Sequence, residues 1–505
     1  MLHSIARAAA DRHGPRPALI TPAGWSASFS DLHRLSDEVA CGLARRGIGP
    51  GDLVALSLPS GVEYAVAYLG LAKLGAITAG INPLLSPAER DHAIRRSGAG
   101  LVLTVPGAVP LDGVSGVEVV TVDPAGGVDD VLSDLRVRGG GVAELPADED
   151  RPVAIVFTSG TTTGVPKGAL FRNRQLGAAL AVENADPWSA GRHVLSSTQF
   201  SHVGFMLRLA GYLAQGTTLC LVDKWRAELA LELIERYRMP AVNGVGSQVA
   251  LLLDHPDLDR YDLSSIERVV TGGGPSSPAV INAAIARWNA TYSMRYSSTE
   301  SGGVGTARSV TAPVLTASSN VGTPRGDTQI RIGPADDVCP IGEVGEVCVR
   351  SSAVMSEYWR DPETTAATLV DGWLHTGDLG FLDDRGDLHL AGRTTEMFIR
   401  GGYNVYPQEV EAVLSRHPGV GAVVVVPRPD DVMGEIGVAV VVARDADVEL
   451  GALRDFAAGE LARFKLPEVL RVVDALPFTS TQKIDRRRLT ELVATRSPDE
   501  QRVRA

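Results

Sequence analysis

The sequence predicts an α/β protein with a large N-terminal domain of mixed, mostly parallel sheets with flanking helices plus a β subdomain, and a small α+β C-terminal domain. Three observations carry this. At 505 residues the chain is longer than one hydrophobic core supports, so two or more domains are expected. Its first third alternates helical and strand periodicities, the pattern of parallel strands joined by helices. From about Ile341 the pattern turns to short alternating strands and then to β-branched runs.

The elements follow in order. Ser30 is placed to cap a helix whose apolar residues Leu32, Leu35, Val39 and Leu43 recur at helical spacing, and Gly47 with Gly49-Pro50-Gly51 ends it. Leu53–Leu58 reads as a strand, Val62–Leu74 as a helix and Gly75–Ala79 as the next strand. A helix around Ala93-Ile94 leads into the strand Leu101–Thr104. Residues 105–150 carry weak periodicity and read as a variable connection, after which Val153–Phe157 is a buried strand. Gly342–Val349 alternates as in a smaller sheet, Ala422–Pro427 and Val438–Val442 suit strands of the C-terminal unit, and the charged tail 497–505 is expected to fray.

Composition narrows the function. With 48 basic and 60 acidic residues the formal charge is −12, which disfavours general binding to nucleic acid or anionic membranes. No apolar run approaches the roughly 20 residues of a membrane span, and the N-terminus lacks a secretory apolar core, so a soluble, cytoplasmic protein is expected. Cys41, Cys220, Cys339 and Cys348 are far apart in sequence without metal-site spacing, and reduced thiols are expected. Only five residues are lysine (Lys73, Lys167, Lys224, Lys465 and Lys483), so the position of each is informative.

The buried strand delivers the chain into Thr158-Ser159-Gly160-Thr161-Thr162-Thr163-Gly164-Val165-Pro166-Lys167-Gly168. Glycines let backbone N–H groups curl around an anion, hydroxyls donate, and the lysine adds a point charge. The loop is not a Walker A motif, because Lys167 follows proline and precedes glycine. Further along stand Gly272-Gly273-Gly274-Pro275, Tyr296-Ser297-Ser298-Thr299-Glu300 and Trp373-Leu374-His375-Thr376-Gly377-Asp378. Gly392-Arg393, Gly401-Gly402-Tyr403 and Gln482-Lys483-Ile484 follow.

In this order the blocks resemble the adenylate-forming superfamily of acyl- and aryl-CoA synthetases, luciferases and peptide-synthetase adenylation domains, and the resemblance spans nearly the whole chain. It implies an ATP-dependent enzyme that joins a hydrophobic carboxylic acid, of the fatty-acid class, to AMP and then passes the acyl group to CoA. The expected domains are 1–394, the adenylation domain, and 395–505, a mobile domain carrying the catalytic lysine. Carried over residue by residue, the phosphate loop is Thr158, Ser159, Gly160, Thr161, Thr162, Thr163, Gly164 and Lys167. The nucleotide contacts are Gly272, Gly273, Gly274, Pro275, Tyr296, Ser297, Ser298, Asp378 and Arg393. Lys483, Glu300 and Thr299 are the catalytic residues, with Glu300 and Thr158 near Mg²⁺. His202, Phe205, Met206, Val245 and Gly246 would line the acyl pocket, Gly401, Gly402 and Tyr403 the thiol tunnel, and Thr395 would be the hinge.

The chain departs from the family pattern in five places besides its lengthened Thr161-Thr162-Thr163 loop. Ser297 replaces a glycine, Thr395 a charged hinge residue, Gln482 a glycine, and Gln199 and Gly246 each a proline. These departures keep two alternatives open. One is an acyl-AMP ligase loading the phosphopantetheine arm of a carrier protein, and the other a degenerate nucleotide-binding protein without turnover. No nucleic-acid partner is expected, and a homodimer is left open.

Overall fold

The computed structural model describes residues 1–505 except 107–115, 159–165, 197, 223–224, 275, 277, 312–319, 445–447, 480–482, 496, 498–499 and 503–505, and the side chain of Asn404. It is a mixed α/β structure in which a large N-terminal region of several sheets precedes a small C-terminal sheet with its own helices.

One sheet runs, edge to edge, through Glu357–Tyr358, Gly168–Arg172, Pro152–Phe157, Ile77–Gly80, Leu53–Ser57, Leu101–Thr104 and Glu118–Thr121. From Pro152–Phe157 to Glu118–Thr121 every pairing is parallel. Its central strands are buried on both faces, which is why they read as unbroken apolar runs. Pro152–Phe157 pairs antiparallel with Gly168–Arg172, Phe157 opposite Gly168. A Cβ on Gly168 would lie 2.7 Å from Ile155 Cγ2, so this hairpin closes only on glycine.

A second sheet begins with parallel strands Ala241–Gly244, Arg268–Gly272 and Thr291–Tyr296. It continues antiparallel through Thr306–Val310 and Asn320–Pro324 into Leu388–Arg393, Trp373–Leu382, Gly345–Arg350 and Gln329–Ile332. The antiparallel half is the β subdomain. The carboxyl ends of its three parallel strands open a crevice, where open α/β sheets bind ligands.

In the C-terminal sheet, Val420–Asp430 and Gly434–Ala443 form a long hairpin, and Val469–Val472 adds in parallel. Its alternation separates two apolar faces. Val424, Val426, Val438 and Val440 pack with Leu489 and Val493, while Val425, Ala439 and Val441 pack with Val413, Leu414 and Leu453.

Three sequence expectations change. The first helix of the alternating pattern is Phe29–Arg45, capped by Ser28 rather than Ser30. Ser28 Oγ accepts the Asp31 N–H while Asp31 accepts the Ser28 N–H, a reciprocal capping box that frees Phe29 to be buried in the first turn. The connection 105–150 contains an edge strand, Glu118–Thr121, exposed enough to lack an apolar signature. Of the tail, the described residues Glu500–Arg502 are tied down: Arg428 and Glu500 form a buried ion pair, and Gln501–Arg502 pairs with Val469-Leu470.

Candidate active site

The strand Pro152–Phe157 ends at Thr158, and the chain returns at Lys167. The Thr158 N–H donates to the Lys167 carbonyl at 2.9 Å, and the Lys167 N–H donates to Thr158 Oγ1 at 3.2 Å. This pair fixes the neck of the loop, whose residues Ser159, Gly160, Thr161, Thr162, Thr163 and Gly164 lie outside the described residues. The Lys167 ammonium stands 4.8 Å above the ring of Tyr358. Tyr358 in turn donates its hydroxyl to Glu300 Oε1 at 2.7 Å. Burial and the Glu300 charge push the Tyr358 phenol well up, so it stays a donor.

Glu300 sits in the tight turn Ser298–Gly303. The Gly302 N–H donates to the Thr299 carbonyl and the Gly303 N–H to the Ser298 carbonyl. Gly302 has φ +69°, and a Cβ on it would lie 2.2 Å from the Ala353 carbonyl oxygen, which excludes any side chain. Tyr358 occupies one Glu300 oxygen, and among the described residues none hydrogen-bonds to the other. A hard carboxylate oxygen, linked through Tyr358 to the Thr158–Lys167 neck of the loop, is a donor that suits Mg²⁺.

Asp378 is positioned by an irregularity in its strand. Glu346 and Cys348, two apart, face Leu379 and His375, four apart, so Thr376-Gly377-Asp378 bulges from Trp373–Leu382. Gly377 takes φ +71° there. The Gly377 N–H donates to Glu346 Oε1 at 3.0 Å, and Thr376 Oγ1 donates to the Val347 carbonyl at 2.7 Å. The bulge brings Asp378 between two donors, with the Tyr296 hydroxyl at 2.7 Å from Oδ2 and Arg393 Nε at 2.8 Å from Oδ1. Burial and then the Asp378 charge raise the Tyr296 phenol, and Asp378 and Glu396 keep Arg393 firmly cationic against its desolvation.

Lys483 reaches the same place from the C-terminal region. Phe478 and Ile484 form a bridge, and the Thr479 N–H donates to the Lys483 carbonyl at 2.7 Å, which makes a short loop. Its side chain packs on the glycine turn after Arg268–Gly272: a Cβ on Gly273 would lie 3.7 Å from Lys483 Cε and 4.0 Å from Val245 Cγ1. Lys483 keeps solvent-accessible surface, yet enough protein surrounds it that desolvation, and then Arg393, lower its ammonium pKa. Asp378 and Glu300 offset part of that. Two of the other lysines are neutralised structurally, Lys73 by Asp37 at 2.7 Å and Lys465 by Glu409 at 2.6 Å.

His202 Nε2 lies 3.3 Å from Asn82 Nδ2. Burial and then the nearby Lys483 charge lower the imidazole to about 4. Gly303 faces Val203, and Gly246 opens the helix Gly246–Leu253, with Val245 as its cap. Phe205 and Met206 lie deeper. Phe205 stacks on Phe200, and Met206 is fully buried, its sulfur 3.5 Å from the Tyr64 hydroxyl and packed where a Gly80 Cβ would be. Ser297 is half-buried beside Tyr296.

The structure thus brings Gly273, Val245, Glu300, Asp378, Arg393, His202 and Lys483 to one crevice. None of the described contacts joins the turn Gly401-Gly402-Tyr403 to it; Tyr403 stacks on Phe464 at 4.6 Å and remains 58% exposed. Thr395 is exposed in the turn between Leu388–Arg393 and Phe398–Arg400. Pro275 lies outside the described residues.

Residues 6–359 match the model of the AMP-binding enzyme family, and residues 409–483 match that of the AMP-binding enzyme C-terminal domain. The chain belongs to the AMP-binding enzymes, the adenylate-forming superfamily. It is 32% identical to 4-coumarate--CoA ligase 2 of Oryza sativa subsp. japonica, over 98% of this chain and 92% of the relative. It is 31% identical to the fatty acid--[acyl-carrier-protein] ligase ScoC of Streptomyces coeruleorubidus, over 95% and 94%. Among solved structures it resembles the amide bond synthetase McbA of Marinactinospora thermotolerans, at 31% identity and a TM-score of 0.84 over 98% of this chain and 100% of that one.

Sequence reasoning missed one residue of this AMP-binding enzyme that its geometry makes central. Tyr358 links Lys167 to Glu300, and its signal was the aromatic Tyr358-Trp359 pair right after Ser356-Glu357. Trp359 anchors the pair by donating Nε1–H to the Ser97 carbonyl at 2.8 Å. Gln199 also has a structural part, since its side-chain oxygen accepts the Ser60 hydroxyl at 3.1 Å while Ser60 Oγ accepts the Phe200 N–H.

Proposed function

We propose that this ligase activates a hydrophobic carboxylic acid, of the fatty-acid class, with ATP and transfers the acyl group to the thiol of CoA. A carboxylate oxygen of the acid attacks the α-phosphorus of ATP. The new P–O bond forms as the bond to pyrophosphate breaks, leaving acyl-AMP. The thiolate sulfur of CoA then adds to the acyl carbonyl, AMP leaves, and a thioester remains.

The observation that carries this reading is Lys483 packed on Gly273 within electrostatic reach of Glu300, Asp378 and Arg393. Two anions must approach each other in the first step, the acid and the α-phosphate, and a compact ammonium between them offsets both charges. In this reading Asp378 accepts from the ribose hydroxyls and Arg393 bridges ribose and phosphate. Gly272–Pro275 and Tyr296–Ser298 bound the base, and Thr158–Gly164 with Lys167 hold the β- and γ-phosphates. Thr299 supports Glu300. Mg²⁺, held by Glu300 and Thr158, would supply charge neutralisation on the phosphate oxygens. His202, uncharged at neutral pH, lines the acyl side with Val245, Gly246 and the underlying Phe205 and Met206.

The domains in this reading are 1–394 and 395–505. Rotation about Thr395 withdraws Lys483 after pyrophosphate leaves and brings Gly401, Gly402 and Tyr403 to the thiol path. Incubation with ATP, Mg²⁺, CoA and acids of graded chain length tests it: AMP and a thioester are expected with at least one acid, and their absence with every acid contradicts it.

A second reading sends the acyl group to the phosphopantetheine arm of a carrier protein, which the similarity to the ScoC ligase favours. Competition between CoA, a phosphopantetheinylated carrier protein and a simple amine, the last included because of the likeness to an amide bond synthetase, separates the acceptors by the product formed.

A further inference from the structure

Behind the Asp378 bulge, two antiparallel strands gather three side chains of metal-ligating type, to none of which the adenylation chemistry gives a contact with substrate. Cys348 in Gly345–Arg350 is the register partner of His375 in Trp373–Leu382, and Glu346 lies two residues before it. His375 Nδ1 is 2.8 Å from Glu346 Oε2 and 3.7 Å from Cys348 Sγ. All three donor atoms lie within 4.8 Å of one another, the one such triad among the described residues. A tetrahedral ion with bonds of about 2.0–2.3 Å needs donors roughly 3.3–3.8 Å apart, so small side-chain rotations suffice to close the site.

The surroundings favour a fixed site. Glu346 is held through its other oxygen by the Gly377 N–H, and so is oriented before any ion arrives. Cys348 is fully buried, while Glu346 and His375 are half-buried and leave a path from solvent. The Arg331 guanidinium also reaches the sulfur, but it is pinned by its Nε–H to the Gly333 carbonyl and by stacking 4.4 Å over Trp373. With Glu346 and a thiolate, the side chains including Arg331 still sum to one negative charge.

We propose that Glu346, Cys348 and His375 form a binding site for a borderline-soft divalent cation of the zinc class, separate from the Mg²⁺ position at Glu300. The mixed sulfur, nitrogen and oxygen set selects such an ion over Mg²⁺, which prefers oxygen alone. Binding forms bonds from the metal to Sγ, to Nδ1 and to a Glu346 oxygen. The thiol proton goes to solvent, the imidazole proton that Nδ1 donates to Glu346 in the metal-free chain shifts to Nε2, and no electron is transferred.

Titration of the reduced, metal-free full-length chain with Co²⁺, followed by thiolate-to-cobalt charge-transfer absorption, tests the site. One equivalent is expected to saturate the band, and Zn²⁺ but not Mg²⁺ to displace it. Cys348→Ser should abolish the band, Cys339→Ser should leave it, and His375→Gln should weaken binding at least about tenfold. The proposal is overturned if wild type gives no band at saturating Co²⁺, if Mg²⁺ displaces as well as Zn²⁺, or if the band follows Cys339. The wild-type titration can return the negative result by itself, so a variant that fails to fold does not rescue the idea.

Discussion

The Tyr358 hydroxyl donates to Glu300 Oε1 across 2.7 Å. The same ring underlies the Lys167 ammonium, so one side chain orients a carboxylate and a cation on the two sides of the proposed phosphate position. Tyr358→Phe keeps the ring and loses only the hydrogen bond. A bond to a charged acceptor contributes about 1.5–3 kcal/mol, so kcat/KM for MgATP should fall roughly tenfold to a hundredfold in pyrophosphate-release assays. An unchanged value would mean that Glu300 needs no such orientation.

Asp378 is 6% exposed and satisfies Tyr296 and Arg393 together. Asp378→Asn removes the carboxylate that pairs directly with Arg393. Because the Arg393 side chain is 38% exposed, the loss should be milder than for a fully buried pair, about 1–3 kcal/mol in urea unfolding. The KM for ATP should rise as well. A variant destabilised without any change in that KM would leave Asp378 a structural role only.

Two pH dependences follow from the crevice. Lys483 has its pKa lowered from the ordinary 10.5, and its proposed role needs the charged form, so adenylation should decline with rising pH at a midpoint below 10.5. A midpoint at or above that value contradicts it. His202 titrates near 4 when folded and near 6.5 when unfolded, so between those values the unfolded chain binds the extra proton. Its contribution is present in full above pH 6.5 and is lost as the pH falls toward 4. Urea midpoints at pH 7.5 and 4.5 should therefore differ more for wild type than for His202→Gln.

Gly302 combines a left-handed backbone with a 2.2 Å clash for any Cβ against the Ala353 carbonyl oxygen. Gly401, at φ +55°, has only the Met433 sulfur nearby, at 3.3 Å on a flexible side chain. Gly302→Ala should cost more, about 2 kcal/mol or above, and should also impair pyrophosphate release by displacing Glu300. Equal losses of stability and of adenylation in the two variants would contradict the placement of Glu300 on that turn.

Much of this was legible in the sequence because the information is local. Strands buried on both faces appear as apolar runs, and loops built from Gly, Ser and Thr around one lysine announce their chemistry. What was hidden depends on pairing between distant segments. Ser28 outcompetes Ser30 as a cap only because Phe29 finds a core to enter. Glu500 in the tail is held by Arg428, seventy-two residues before it. Tyr358 acquires meaning only once Gly168–Arg172 pairs with Glu357–Tyr358 and sets it between Lys167 and Glu300. A half-buried group that brings Glu183 together with Arg208, Arg295 and Arg325 left no signal, since its members are scattered through the chain.

The most direct test of the central claim is acid-dependent pyrophosphate release by wild type and by Lys483→Ala, with folding checked by thermal unfolding. Lys483 lies in a short loop and its side chain supports no core, so the variant should unfold with wild type. The account predicts release by wild type that depends on the acid and that falls by at least about a hundredfold in the folded variant, the effect of removing a charge aimed at the reacting phosphate. Equal release by both proteins, or none from wild type with any acid, would contradict it.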